Sequence, residues 1–321
     1  MLDSVKANTF ANINRAYNSV FQPGRLSLGL VTPIEAHANS AVPTLERHLE
    51  RAQLADGLGF AALWLRDVPF NVPSFGDAGQ LFDPFVYLGA LATATQNIAL
   101  GTASIILPLR HPAHVAKAAA SADVLSGGRL LLGVASGDRP EEYPALNMSY
   151  PDRGERFRES FDYIRAAAET YPNHENKLGT LSGNMDVLPK PVAGRVPMLV
   201  TGGSQQSPDW LAQHGDGWIT YPRDVASQGR VIADYRNRIA EAGLEDKPVM
   251  QSLYVDLVSE HDAGPQPIHL GFRSGTAFLR KYLQEIETLG VNHVALNLRF
   301  NQATIDTTLK RLADEILPSF H

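Results

Sequence analysis

A set of short polar, charged or glycine-bearing segments follows the apolar runs of this chain, and these are where chemistry could sit. They are Thr32-Pro33, Arg66-Asp67, Ala103-Ser104, Ser136-Gly137-Asp138-Arg139, Thr201-Gly202-Gly203-Ser204, Tyr221-Pro222-Arg223, and Asn297 with Arg299. The Thr201–Ser204 segment is the most suggestive. Adjacent glycines let a backbone approach a ligand closely. Ser207-Pro208-Asp209 then reads as a helix cap and its first residues, and free amides at a helix start bind phosphate. Ser204, Gln205, Gln206 and Ser207 could add neutral hydrogen bonds, and Arg139 and Arg153 are candidate cations. The plainer alternative is a capped helix after a flexible turn.

The remaining candidates are weaker. Arg66-Asp67 reads either as an ion pair holding a loop or as a site acid with its partner. Asp138, Glu141 and Glu142 could form a general acid/base set, but a solvated acidic loop is the commoner meaning. His111 and His114 lie three apart at a helix start with no third ligand nearby, so they read as a helix-start pair rather than a metal site. His37, His48, His174, His214, His261, His269 and His293 are scattered, and Lys190, between prolines, makes a poor Schiff-base candidate. There is no phosphate-binding Walker loop, no dinucleotide fingerprint and no serine nucleophile elbow.

These segments need elements to hold them. Apolar runs at Leu26–Val31, Ala61–Leu65, Ile98–Ile106, Leu130–Ala135, Met198–Thr201, Trp218–Thr220, Val249–Leu257 and His293–Asn297 read as strands. Helical stretches alternate with them: Thr44–Leu58, one opening at Asp83-Pro84, Pro112–Leu125, Arg153–Tyr171, Ser207–His214, Val225–Ala242, Thr276–Leu289 and Thr304–Leu317. Such a series predicts an α/β fold, a (β/α)8 TIM barrel with its site at the carboxyl ends of the strands. An open doubly wound sheet is the alternative. The barrel is favoured because the repeats run on without a linker. Extended loops are expected after strands 2 (Val68–Leu81) and 4 (Gly137–Asp152), with an insertion, Pro172–Pro197, before strand 5. Residues 1–25 read as an N-terminal helical extension and 26–321 as a single barrel domain.

Composition fits this reading. The chain has 321 residues, 44% hydrophobic and 19% charged, which suits a globular core rather than disorder. The absence of cysteine excludes disulfides, thiolate nucleophiles and cysteine-based metal centres within it. A net charge of −6 gives no support to nucleic-acid binding. With no long apolar run and no signal-peptide core, a cytoplasmic protein without a membrane anchor is expected.

The run Gly101-Thr102-Ala103-Ser104-Ile105-Ile106-Leu107-Pro108-Leu109-Arg110-His111-Pro112, continuing through Ala116-Lys117 to Leu125-Ser126-Gly127-Gly128-Arg129 and Leu130–Gly137, resembles the bacterial-luciferase-like flavin-dependent monooxygenase family. Trp64, the Thr201–Ser204 segment leading to Asp216-Gly217-Trp218, and Gly290–Val294 also fit. The resemblance implies a TIM barrel that binds FMN. Ser136 and the Gly202, Gly203, Ser204, Gln206 segment match the family's phosphate-binding positions, and Arg153 matches a family arginine. Ala103-Ser104 matches a position that often carries a non-prolyl cis peptide beneath the flavin ring. Gly137, Thr201 and Tyr221 join the implied cofactor shell, while Arg66, Asp67, Asp138 and Arg139 would converge over the flavin face as catalytic candidates.

Three departures accompany the resemblance. Val68 stands where luciferase has its catalytic histidine, Ala135 where it has a cysteine near the flavin, and Ser136 where a cationic phosphate ligand is usual. Light emission is therefore not expected. The Arg66–Phe70 and Ser136–Pro140 blocks resemble a non-luminescent subgroup. The implied activity is an FMN-dependent oxidoreductase, a monooxygenase using reduced flavin and O2 on a small organic substrate, with reduced flavin supplied by a separate reductase. A deazaflavin (F420) hydride-transfer enzyme on the same barrel is the alternative, and a non-catalytic flavin-binding protein is the rival from another class. Phe70, Phe75 and Phe82 could line a substrate pocket or pack their loop down. A homodimer is common in the family, and no metal is implied.

Overall fold

The computed structural model describes residues 9–76 and 78–320. Eight parallel strands form its centre: β1 Ser27–Val31, β2 Ala62–Leu65, β3 Ala99–Thr102, β4 Leu130–Ala135, β5 Met198–Thr201, β6 Gly217–Thr220, β7 Val249–Leu257 and β8 His293–Asn297. Each strand pairs with the next, and β8 pairs with β1, so the sheet closes on itself. Helices fill the connections, as expected of a TIM barrel.

Side-chain alternation divides the core in two. Leu63 and Leu65 of β2 and Leu130, Leu132 and Val134 of β4 face outward into the layer under the helices. Ala62, Trp64, Leu131, Leu199, Ile219 and Met250 point into the barrel. Trp64 is fully buried there, and Gly101 on the neighbouring strand makes room for it: a Cβ at 101 would lie 2.4 Å from the indole ring. The helix Arg15–Val20 packs Tyr17 and Val20 into the same inner cluster. The Tyr17 hydroxyl donates to the Asp216 carbonyl at 2.7 Å, just before β6, so this helix covers the amino-terminal end of the barrel. Of the anticipated extension, residues 1–8 lie outside the described residues.

Several boundaries differ from expectation, each for a physical reason. The run Ile98–Ile106 is not one strand. It breaks at Ala103-Ser104, and Ile105–Ile106 resumes alongside the end of β4. The second helix begins at His48, not Thr44, because the Glu35 carboxylate accepts the Thr44 and Leu45 amides at 2.8 and 2.9 Å. Leu45 and Arg47 take left-handed backbone. The helix from Arg153 ends at Ala167, where Lys190 donates to the Ala167 and Glu169 carbonyls, a cation at a helix C-terminus. The Pro172–Pro197 insertion carries a hairpin, Asn173–Asn176 with Gly179–Ser182. Among the described residues no helix is long and apolar enough to cross a membrane.

Candidate active site

The carboxyl ends of the strands surround a cavity of about 720 Å³, within the ~300–1,000 Å³ common for small-molecule sites. Its wall includes the catalytic candidates Arg66, Asp67, Asp138 and Arg139. It also includes Ala103, Ser104, Ser136 and Gly137, together with Arg153, Thr201, Gly202, Gly203, Ser204 and Tyr221. Val68 and Ala135, which replace the luciferase side chains, line it too.

The floor lies where the third strand breaks. The Ala103-Ser104 peptide is cis, as the resemblance implies. Ala103 donates its N–H to the Leu65 carbonyl at 2.6 Å, and the Ser104 hydroxyl hydrogen-bonds the Thr201 hydroxyl at the end of β5, two strands away. Beneath the floor the Trp64 indole donates to His293 Nε2 at 2.8 Å. His293 Nδ1 therefore carries the proton and faces Ser27 Oγ at 2.7 Å, whose own hydroxyl donates to the Val20 carbonyl at 2.7 Å. Burial pushes the His293 imidazolium down from 6.5 to about 3, so the ring is neutral. This Ser–His contact is a structural layer sealed from solvent, not a nucleophilic pair.

The loop after β5 forms a concave backbone. Gly202, Ser204 and Gln205 all take positive φ, at 54°, 43° and 60°. Successive N–H groups in such a turn make an anion-binding nest. The following helix does not take part in the way its sequence suggests. Pro208–His214 is only seven residues long, and the Ser207 hydroxyl already accepts the Trp210 amide at 3.1 Å. Gln206 does not line the cavity. Its Nε2 donates to the Gly154 carbonyl at 2.7 Å, and its Oε1 accepts from Arg158 at 3.1 Å, so it pins the loop to the neighbouring helix. Arg153, at the first turn of that helix, lies 3.8 Å over the Tyr150 ring and lines the cavity.

Asp67 has a partner other than Arg66. Its carboxylate accepts from Arg110 at 2.8 and 3.0 Å and from the Ile106 amide at 3.1 Å. Desolvation opposes the Arg110 charge, but its bonds to Asp67 and Asp83 outweigh that and hold its pKa above the ordinary arginine value. The acidic loop also departs from expectation. Asp138 is exposed at the cavity, yet Glu142 is buried, 3.9 Å from Arg139, because a short helix, Glu142–Ala145, folds it inward. Burial pushes Glu142 up from 4.5 to about 7, with Arg139 opposing and Asp67 and Asp138 reinforcing. Arg139 itself stacks 4.7 Å under the Phe75 ring. Of the loop aromatics only Phe75 reaches the cavity. Phe82 packs on His48 and Tyr87, and Phe70 is largely exposed.

Sequence reasoning missed one wall. Beyond β7, Gly271–Ser274 pairs with residues 254–257 and with Gln266–Ile268, and this hairpin carries His269 and Leu270 to the mouth beside Tyr254. The only local signal was a turn at Ala263-Gly264-Pro265 followed by a short extended run. Among the described residues no group of three or more His, Asp or Glu is placed to hold a metal.

A closed parallel barrel with a cavity at the carboxyl ends of its strands, floored by a cis peptide and flanked by a concave glycine-bearing loop, is the architecture of a barrel enzyme. The chain belongs to the luciferase-like monooxygenase family, whose model matches residues 22–263. It is 33% identical over 190 residues to an uncharacterized protein of Mycobacterium bovis, covering 54% of this chain and 67% of that one. It is 28% identical over 206 residues to an F420-dependent hydroxymycolic acid dehydrogenase of Mycobacterium tuberculosis, 62% of this chain and 55% of that one. Two solved structures share the fold. An F420-dependent secondary alcohol dehydrogenase superposes with a TM-score of 0.76 at 18% identity, over 92% of this chain and 99% of that one. The oxygenating constituent of 3,6-diketocamphane monooxygenase of Pseudomonas putida, solved with FMN, gives 0.72 at 15% identity over 92% and 99%.

Proposed function

We propose that this protein is an FMN-dependent monooxygenase acting on a small organic substrate. The observation that carries the reading is the nest of Gly202, Ser204 and Gln205 beside Arg153, on the rim of a cavity floored by the cis Ala103-Ser104 bond. These residues fit a flavin phosphate and a ring lying on small side chains. The amides of residues 203–205 and the Arg153 guanidinium would hold the phosphate, the Gly202 amide being taken by the Ile219 carbonyl at 2.8 Å. Ala103 and Ser104, joined by the cis peptide, would support the ring. When bound, reduced FMN would supply two electrons to O2, so that one oxygen atom enters the substrate and the other leaves as water.

The rest of the work falls to the protein. Phe75, stacked on Arg139, adds apolar surface at the mouth of the cavity. Tyr221 is half-exposed at the cavity; its phenol is protonated at neutral pH, partial desolvation with Asp138 reinforcing and Arg66 opposing raises its pKa further, and its Oη can donate to a substrate oxygen. Asp138, exposed at the rim, is the group best placed to take a proton from the substrate.

A second reading is supported by the relatives named as F420-dependent: hydride transfer without oxygen on the same barrel. We further propose that residues 26–321 form one barrel domain, that the protein works as a homodimer in the cytoplasm, and that a separate reductase supplies reduced flavin. Titrating the purified protein with FMN, riboflavin and F420, then following O2 uptake with reduced FMN, tests the reading. FMN should bind at least about tenfold tighter than riboflavin, since the phosphate adds charge-assisted bonds. Tight F420 binding without FMN binding would overturn it in favour of the second reading.

A further inference from the structure

Two loops meet at the cavity mouth, and a buried acid lies in their joint. One is the long loop after β2, which carries Phe70 and Phe75. The other is the connection after β4, which carries Asp138, Arg139 and Glu142. They approach each other at two points. The Arg139 guanidinium stacks 4.7 Å from the Phe75 ring centre, and the Phe70 amide faces the Glu142 carboxyl group. Arg139 and Phe75 line the cavity, while Glu142 stands behind its wall. The short helix Glu142–Ala145 turns this side chain inward, where it is fully buried.

The site serves a carboxylic acid better than a carboxylate. Among the described residues neither Glu142 oxygen has a hydrogen-bond partner, and the Phe70 amide faces them without completing a bond. Arg139 Nη1 is also buried without a hydrogen bond, 3.9 Å from Glu142 Oε1. That is about 1 Å longer than a charge-assisted hydrogen bond. The other charged groups facing Glu142 are Asp138, on its own connection, and Asp67, at the root of the second loop and held by Arg110. Both carboxylates oppose a further negative charge and Arg139 favours it. Burial outweighs Arg139, so the acid keeps its proton up to about pH 7. A buried anion without bonds is costly. Parting the two loops lets water reach it and removes that cost.

We infer that Glu142 is a positioning residue for the cavity mouth: protonated, it lets the two loops close on each other and Arg139 hold Phe75 in place, and with the proton lost the loops part. The sign follows from linkage. The closed joint binds the proton more tightly than the water-exposed acid of the open joint, so acid favours closing and base favours opening. Opening rises between about pH 4.5, where an exposed glutamic acid titrates, and about pH 7, and levels off above that. Access to the cavity is thus set by a group outside its wall, whichever cofactor the barrel takes.

Amide hydrogen exchange on the full chain tests this, expressed as protection factors so that the intrinsic pH dependence of exchange cancels. Protection of residues 68–76 and 137–143 should fall at least about tenfold from pH 5.5 to 7.5 and then level off. The hairpin at residues 173–182, on the insertion before β5, serves as the control and should not change. Glu142→Gln keeps the neutral form's shape and should hold the pH 5.5 protection throughout. Asp138→Asn removes a charge that opposes ionisation of Glu142, so the fall should be smaller and level off at a lower pH. A side chain that merely fills space gives no such shift. Flat protection in the wild type overturns the inference. So does a Glu142→Gln variant that loses protection along the wild-type curve, which would assign the change to another group.

Discussion

Arg110 grips Asp67 with a two-pronged ion pair, Nη2 to Oδ1 at 2.8 Å and Nε to Oδ2 at 3.0 Å, and the same Nη2 reaches Asp83 at 2.9 Å. Asp67 opens the long second loop and Asp83 caps the helix that ends it. One guanidinium thus ties both ends of the segment that carries Phe75 over the cavity. Asp67 is also the residue that accepts the Ile106 amide just past the cis peptide, so the clamp fixes loop and floor together.

Arg110→Ala should therefore be costly. The Asp67 side chain is 1% exposed, and stranding such a carboxylate costs about 3–5 kcal/mol. Urea unfolding should show a loss of that order, and limited proteolysis should cut within residues 68–82 first. Arg110→Lys should recover only part of it, because an ammonium cannot bond in the forked way. Unchanged stability in Arg110→Ala would mean the pair does not clamp the loop.

Burial of His293 makes a pH-dependent contribution. The folded ring titrates near 3, and the unfolded one at its ordinary 6.5. The unfolded state therefore binds the extra proton first on acidification. The contribution is complete above about pH 6.5 and is lost as pH falls toward 3, at about 1.4 kcal/mol per pH unit. Comparing the stability of wild type and His293→Gln from pH 8 to pH 4 checks this. The variant should start lower, having lost the Trp64 and Ser27 partners, but decline less steeply. Parallel profiles would rule out the imidazole as the source.

Glu142 carries the opposite sign. Its folded pKa is raised from 4.5 to about 7, so its favourable contribution is present below pH 4.5 and is lost as pH rises through 7. Glu142→Gln mimics the protonated acid and should be more stable than wild type at pH 8 by something on the order of 3 kcal/mol, and indistinguishable from it near pH 4.5. Thermal melts at those two values decide the matter. A variant less stable at pH 8 would show that the Arg139 charge needs an ionised partner.

What was legible in the chain follows from the range of the forces involved. Barrel strands are short apolar runs with neighbouring caps, so their order and the polar residues at their ends are local signals. The cis floor was reached through the likeness of the Gly101–Pro112 block, while periodicity alone reads Ile98–Ile106 as unbroken. Partners are different. Asp67 meets Arg110 across 43 residues and Trp64 meets His293 across 229, and no spacing rule connects them. Glu142 reads as solvated because its burial depends on the fold of the helix Glu142–Ala145 and on the neighbouring Arg139. Gln206 has the right chemistry for a phosphate ligand, yet Arg158 and Gly154 take its amide.

Gly203 gives the most direct test of the nest. Its backbone is not in the positive-φ region that Gly202 occupies, and a Cβ there would meet nothing nearer than the Gln206 carbonyl at 3.8 Å. The fold should therefore accept a side chain at 203, unlike at Gly202, where φ is 54° and an added Cβ brings strain. Gly203→Asp places a carboxylate where the phosphate is proposed to lie, and like charges at about 4 Å repel by ~1 kcal/mol in water and by ~4 kcal/mol near a protein surface. FMN affinity should fall at least tenfold, and riboflavin affinity, lacking the phosphate, should change little. Gly203→Ala separates bulk from charge and should bind FMN nearly as well as wild type. If Gly203→Asp weakened FMN and riboflavin alike, the change would be acting on the ring or the fold, and the phosphate would have to sit elsewhere on the rim.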